Sequence, residues 1–169
     1  VLETLLQQQN LRLLVDGDGL TNLSKLLDWP ARCEAQVILT PHPGEMKRVW
    51  SGLFRKPLPQ DRQEQASLLA QAPHAVIALK GAGTVVTDGT RVYVNTTGNP
   101  GMGTGGSGDW LTGIITALMG QGLGNFDATV LGVYVHGLAG DIAAERLGQV
   151  SLTATDIIDA LPEAFRRNT

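Results

Sequence analysis

Asn99-Pro100-Gly101-Met102-Gly103-Thr104-Gly105-Gly106-Ser107-Gly108-Asp109 crowds five glycines and a serine together, then sets a carboxylate where an apolar, helix-forming run begins. Such a loop has almost no side chain to bury. What it offers is backbone N–H groups that can come close to an anion, at the positive end of a helix dipole. Helix capping explains one acid but not five glycines, which cost conformational entropy on folding. The pattern points to an anion such as phosphate held on the amides, with Asp109 beside it to take a proton.

Two other phosphate motifs are set aside. Gly101-x-Gly103-x-x-Gly106 fits the dinucleotide fingerprint letter by letter, with Asp127 near the spacing of a ribose-binding acid. That fingerprint needs a tight strand-to-helix turn and an acid on a further strand. Here residues 96–100 separate strand from loop, and Asp127 reads as a helix N-cap. No Gly-x-x-x-x-Gly-Lys-Ser/Thr segment occurs in the chain.

Upstream, the short apolar runs 11–15, 37–40 and 76–79 read as buried strands. Each ends in a loop that carries chemistry: Asp16-Gly17-Asp18, Pro41-His42-Pro43-Gly44-Glu45, and Lys80-Gly81-Ala82-Gly83-Thr84. Residues 84–95, centred on Asp88-Gly89, predict a hairpin. Helices are expected over 2–9, over 21–27 with an end near Trp29-Pro30, and as a turn after Glu45 through Val49. Others are expected over 59–72 with Ala66, Leu68 and Leu69 inward, and over 107–119, 127–145 and 153–166. Strands separated by helices predict an α/β layer fold with a mostly parallel sheet plus a β-hairpin. In such sheets ligands bind beyond the carboxyl ends of the strands, where all four chemically rich loops fall.

Bulk composition removes whole classes of function. With 169 residues, 43% hydrophobic and 17% charged, the chain is long enough and apolar enough for one domain with a packed core. A net charge of −3 and only 5% aromatic residues leave neither a phosphate-backbone footprint nor a base-stacking platform, so no nucleic acid is expected. No apolar run approaches membrane-spanning length, and no signal peptide is visible. Cys33 is the only cysteine; it excludes an internal disulfide and reads as an inert thiol of a cytoplasmic protein.

His42, fixed between two prolines at a strand end, reads as a substrate contact rather than a metal ligand. Lys80 closes an apolar strand and can aim its ammonium at a phosphate. Asp16 and Asp18 either hold Mg²⁺ through water or shape a turn, and Glu45 is a third metal candidate. His74 and His136 read as ordinary surface or core residues, and Trp110, Ile114, Ile115 and Leu118 as core-facing positions of one helix.

Leu14-Val15-Asp16-Gly17-Asp18-Gly19-Leu20, Leu39-Thr40-Pro41-His42-Pro43-Gly44-Glu45, Leu79-Lys80-Gly81-Ala82-Gly83-Thr84 and the glycine loop together resemble the NAD(P)H-hydrate dehydratases of the ribokinase-like superfamily. Ribokinase relatives at large share only the core represented by Gly106-Ser107-Gly108-Asp109. The resemblance implies a three-layer α/β/α fold and a repair reaction. In it, ADP or ATP with Mg²⁺ drives dehydration of (6S)-NADHX or NADPHX, by phosphoryl transfer to the ring hydroxyl followed by phosphate elimination. It implies His42, Asn99 and Asp109 at the hydrate, with Asp109 catalytic. Lys80, Gly81, Ala82, Gly83, Thr84, Gly105, Gly106, Ser107 and Gly108 then hold the adenine nucleotide. The residues also admit a small-molecule kinase of the hydroxyethylthiazole or hydroxymethylpyrimidine type, or a non-catalytic nucleotide-binding remnant.

The chain departs from the family pattern at Gly17 and Gly19, where alanines are usual, at Thr21 in place of asparagine, and at Trp110 in place of a smaller apolar residue. The family domain is also longer. Residues 1–169 are therefore expected to form a single domain that is its C-terminal portion. That portion should need an N-terminal segment, a companion chain or an oligomeric neighbour, with a homotetramer among the options, and an NAD(P)H-hydrate epimerase is expected fused or separate.

Overall fold

Val37, Ile38 and Leu39 are fully buried, as are all five residues of Ala75–Leu79, so these runs form strands covered on both faces. In the computed structural model, which describes residues 1–167, they are β2 (Gln36–Leu39) and β3 (Ala75–Leu79) of a five-stranded sheet. The others are β1 (Arg12–Val15), β4 (Val85–Thr87) and β5 (Val92–Val94), and the spatial order is β1-β2-β3-β4-β5. β1, β2 and β3 run parallel, with Val15 opposite Leu39 and Leu39 opposite Ile77. β4 and β5 add as the antiparallel hairpin, with Thr87 opposite Val92. The fold class is α/β, as expected. Two compact units divide the chain, Val1–Val94 and Asn95–Thr169, and the whole sheet lies in the first.

The helices of the first unit are α1 (Leu2–Leu6), α2 (Asp18–Leu23), α3 (Trp29–Arg32), α4 (Pro43–Leu53) and α5 (Arg62–Leu69). Several depart from the sequence expectations, each for a local reason. α2 starts three residues early, because Gly17 at φ 52 turns the chain out of β1 and Asp18 sits favourably in the first turn. Trp29-Pro30 opens α3 instead of ending a helix; proline is well placed in a first turn, where no N–H partner is needed. Pro43 likewise begins α4, so Glu45 lies inside that helix. In α5 the inward side is Gln65, Ala66 and Leu69, with Leu68 half-buried. The hairpin loop spans 88–91 and is held by Asp88 Oδ1, which accepts from Thr90 N (3.0 Å), Thr90 Oγ1 (2.8 Å) and Arg91 N (2.8 Å).

The second unit is helical: a 3₁₀ turn over Pro100–Met102, then α6 (Ser107–Gly120), α7 (Asn125–Leu147) and α8 (Ala154–Arg166). Gly124, not Asp127, is the N-cap of α7, and Asp127 stands in its first turn. Ala139, Ile142 and Ala143 of α7 pack with Ile157, Ala160 and Ala164 of α8 in one buried cluster. Among the described residues, no helix is long and apolar enough to cross a membrane.

Close approach along α7 depends on missing side chains. A Cβ at Gly137 would lie 2.2 Å from Thr97 Oγ1 and 2.8 Å from the Thr97 carbonyl carbon, and one at Gly140 would lie 2.3 Å from Met102 Sδ. Gly137→Ala is therefore expected to destabilise the protein by about 2 kcal/mol, because backbone has to move to admit one methyl. Gly113→Ala is the contrast. It lies within α6 with nothing within 4 Å of the added methyl, so about 0.5 kcal/mol of stabilisation is expected. Denaturant midpoints of the two variants, measured together, check the opposite signs.

Candidate active site

Because β1, β2 and β3 are parallel, their carboxyl ends share one edge, and Asp16, Pro41-His42 and Lys80 leave the sheet there. Lys80 N donates to Pro41 O (2.8 Å), which ties the second and third loops together. The Lys80 ammonium donates to Asp16 Oδ1 at 2.7 Å and lies 3.9 Å from Glu45 Oε2; all three side chains are largely buried. One cation thus stands between two carboxylates. Its charge is largely answered within the protein, which a surface lysine at a turn would not need.

His42 is the N-cap of α4. Its Nδ1 accepts from Gly44 N (3.0 Å) and Glu45 N (3.3 Å), while Glu45 Oε2 accepts from His42 N (2.8 Å), completing a capping box. An Nδ1 that accepts two N–H bonds places the ring proton on Nε2, 3.5 Å from Glu45 Oε1. A Cβ at Gly44 would lie 2.9 Å from His42 Cε1, so glycine there lets the imidazole fold over the helix end. The ring is half exposed, with Nδ1 fixed by the helix end and Nε2 facing Glu45.

The metal candidates do not assemble. Asp16 is engaged by Lys80, Glu45 by the capping box, and Asp18 is exposed at the start of α2. Among the described residues, no group of three or more His, Cys, Asp or Glu side chains could hold a metal ion. These carboxylates do not fit a protein cage for Mg²⁺.

In the second unit the glycine loop is held from α7. Asp141 accepts from Gly98 N with Oδ2 (2.8 Å) and from Asn99 Nδ2 with Oδ1 (3.0 Å), and Asn99 Oδ1 accepts from Gly101 N (3.0 Å). Both ends of the Asn99 amide are therefore spent on shaping the loop. Thr97 Oγ1 donates to Tyr134 O (2.8 Å). Ser107 Oγ lies 3.3 Å from His136 Nε2, both side chains being buried. Burial pushes the His136 pKa down to about 4, so the ring is neutral at neutral pH.

Gly106, in the left-handed region at φ 88, is the N-cap of the 14-residue α6. Ser107 N donates to Thr104 O and Asp109 N to Gly106 O, whereas the N–H groups of Thr104, Gly105, Gly106 and Gly108 have no acceptor among the described residues. Unpaired amides at the head of a helix are an anion site. Asp109 stands in the same first turn with its side chain exposed. The head of α6 thus sets amides without an acceptor beside an exposed carboxylate one residue further on.

Trp110 departs from its expected place in the core. Its side is 40% exposed, while Ile115 is fully buried. The helical phase turns Trp110, Gly113 and Ala117 toward an apolar groove of about 280 Å³ shared with Ile158, Leu161 and Phe165 of α8; Ile114 and Leu118 line it too. Arg62 and Asp141, which no motif marks, each bond to one of the loops, as does His136, expected as an ordinary surface or core residue.

The NAD(P)H-hydrate dehydratase family matches residues 1–163. The bifunctional NAD(P)H-hydrate repair enzyme Nnr of Thermofilum pendens is 48% identical over 155 residues, covering 91% of this chain and 29% of that protein. The structure of an ADP/ATP-dependent NAD(P)H-hydrate dehydratase from Bacillus subtilis, co-crystallized with ATP/Mg²⁺ and soaked with CoA, matches with a TM-score of 0.72 at 34% identity. It covers 81% of this chain and 51% of the other. A ribokinase-like superfamily protein of Enterococcus faecalis matches with a TM-score of 0.77 at 31% identity, covering 98% of this chain and 57% of its own. The chain thus spans under a third of the curated relative and about half of the solved ones. With its ribokinase-like α/β architecture and a family match over nearly all its residues, the chain belongs to the NAD(P)H-hydrate dehydratase family.

Proposed function

We propose that this chain carries the site of an ADP- or ATP-dependent NAD(P)H-hydrate dehydratase, a repair enzyme for (6S)-NADHX and NADPHX. The observation that supports it most is the amide-lined head of α6 with Asp109 in its first turn. Phosphoryl transfer asks mainly for positioning and for stabilisation of charge on the transferring oxygens, which preorganised amides supply. The amides of 105–108 receive the transferring phosphoryl group, and the 80–84 turn holds the nucleotide. Asp109 accepts the proton of the ring hydroxyl as its oxygen bonds to phosphorus and the nucleotide leaves. Phosphate then departs with the C–O bonding electrons, and loss of a neighbouring ring proton restores the double bond.

His42 offers the hydrate the exposed half of its ring, its Nδ1 being committed to α4 and its Nε2 facing Glu45. Asn99 acts through the loop that it shapes, and Lys80 through the turn that it ties to Asp16 and Pro41. Mg²⁺ is assigned to the nucleotide's own phosphates. An epimerase, fused or separate, is the proposed partner, and the cytoplasm the proposed setting.

The test is direct. Full-length protein is given hydrated NADH with ADP or ATP, and the returning absorbance of the reduced ring is followed. Recovery that requires the nucleotide is the expected result. Absence of recovery, together with phosphorylation of a thiazole or pyrimidine alcohol, would replace the dehydratase reading with a kinase.

A further inference from the structure

Arg62, the first residue of α5, is unremarked by any motif, yet its guanidinium is bonded along the whole 79–83 segment. Nη1 donates to Ala82 O (2.5 Å) and Gly83 O (3.3 Å), and Nη2 to Leu79 O (2.9 Å) and Lys80 O (3.1 Å). Four carbonyls of five consecutive residues thus turn toward one planar cation. A trans peptide points its N–H opposite to its carbonyl, and none of the described residues has a cis peptide. The Lys80 and Ala82 carbonyls, drawn to Arg62, therefore send the Gly81 and Gly83 N–H groups the other way. The same rule holds one step earlier: the Leu79 carbonyl faces Arg62, and Lys80 N donates away from it to Pro41 O.

Gly81 has φ 141, and a Cβ there would lie 3.0 Å from Arg62 Nη2 and 3.4 Å from the guanidinium carbon. Glycine is needed at 81 for its backbone and also to admit the guanidinium. The N–H groups of Gly81 and Gly83 have no acceptor among the described residues. What results is a turn with its oxygens sequestered, its amides presented and a positive charge behind it, which is the electrostatic form of an anion cradle.

We propose that Arg62 is a positioning residue of the nucleotide site: by gathering four carbonyls it orients the Gly81 and Gly83 amides toward the nucleotide. The functional half of this proposal rests on the nucleotide reading of the 80–84 turn. Lysine cannot replace arginine here, because a single ammonium on a flexible stem does not span four fixed acceptors.

The experiment uses full-length protein carrying R62K, with R62Q as a second variant that keeps a planar head without the charge. The amide ¹H and ¹⁵N chemical shifts of Gly81 and Gly83, which report the orientation of these peptides, are measured without nucleotide, and KM for ATP and for hydrated NADH with it. Expected are displaced Gly81 and Gly83 resonances in both variants and an ATP KM about tenfold higher, the equivalent of one lost charge-assisted hydrogen bond, with hydrate KM and kcat within about twofold. Unmoved resonances and unchanged ATP KM in both variants would overturn the proposal and leave the nucleotide reading intact. Equal rises in both KM values with lowered kcat would also overturn it, by making Arg62 a general structural residue. Displaced resonances in a protein whose wild type binds no ATP would overturn the nucleotide reading instead, while supporting Arg62 as the residue that shapes the turn.

Discussion

Asp109→Asn is expected to lower kcat for hydrate dehydration by about a thousandfold while ATP affinity stays within about threefold. The magnitude is that of a removed general base, and at one decade per 1.36 kcal/mol it adds about 4 kcal/mol to the barrier. Asparagine keeps the size of the side chain and its place in the first turn of α6, so the amides around Gly106 keep their geometry. What is lost is the ability to take the hydroxyl proton. Removing a negative charge from a helix N-terminus costs only about 0.5 kcal/mol of stability, too little to mimic the effect by unfolding. Next to nucleotide phosphates the same removal relieves repulsion, so ATP binding should hold or tighten. Steady-state kinetics and calorimetric ATP titration on one preparation separate the two quantities. A kcat within tenfold of wild type would remove Asp109 from the proton transfer.

The strands were legible because burial on both faces leaves a plain mark: Val37-Ile38-Leu39 and Val76-Ile77-Ala78-Leu79 are continuous apolar runs that end in chemically active loops. Helix starts were less legible. Pro30 and Pro43 read as interruptions in the sequence, yet in the structure both stand in first turns, where the missing N–H has no consequence. Trp110 shows a different limit. Its helix is plain in the sequence, but apolar character alone does not fix the phase, and α6 is apolar on more than one side.

The site divides along the same line. Its loops announced themselves through glycine clusters and through isolated His, Lys and Asp residues at strand ends. Their supports did not, because support is a long-range relation between ordinary residues. Lys80 finds Asp16 across 64 positions, Asn99 finds Asp141 across 42, and Ser107 finds His136 across 29. His42 stands out between two prolines, but its Nδ1 bonds to the α4 amides follow from a helix start at Pro43 that the sequence does not mark.

Stability is expected to fall by about 3 kcal/mol between pH 7 and pH 4 on account of His136 alone. The folded protein holds this ring in a buried position beside Ser107, and burial lowers its pKa from 6.5 to about 4. In the unfolded chain the ring takes a proton as pH drops below about 6.5, whereas in the folded protein it takes one only near pH 4. Between those values the unfolded state binds more protons, so unfolding becomes easier as pH falls; below about pH 4 both states are protonated and the effect levels off. At about 1.4 kcal/mol per pKa unit the gap amounts to about 3 kcal/mol. Carboxylates titrate in part of the same window, so the measurement is a difference. Denaturant unfolding of wild type and His136→Gln is followed from pH 7 to pH 4. Glutamine places an amide near the position of Nε2, keeps a partner for Ser107 Oγ and does not titrate. The variant should be the less stable protein at pH 7 and should lose its disadvantage as pH falls. Parallel pH curves for the two proteins would mean that His136 is not held neutral by the fold.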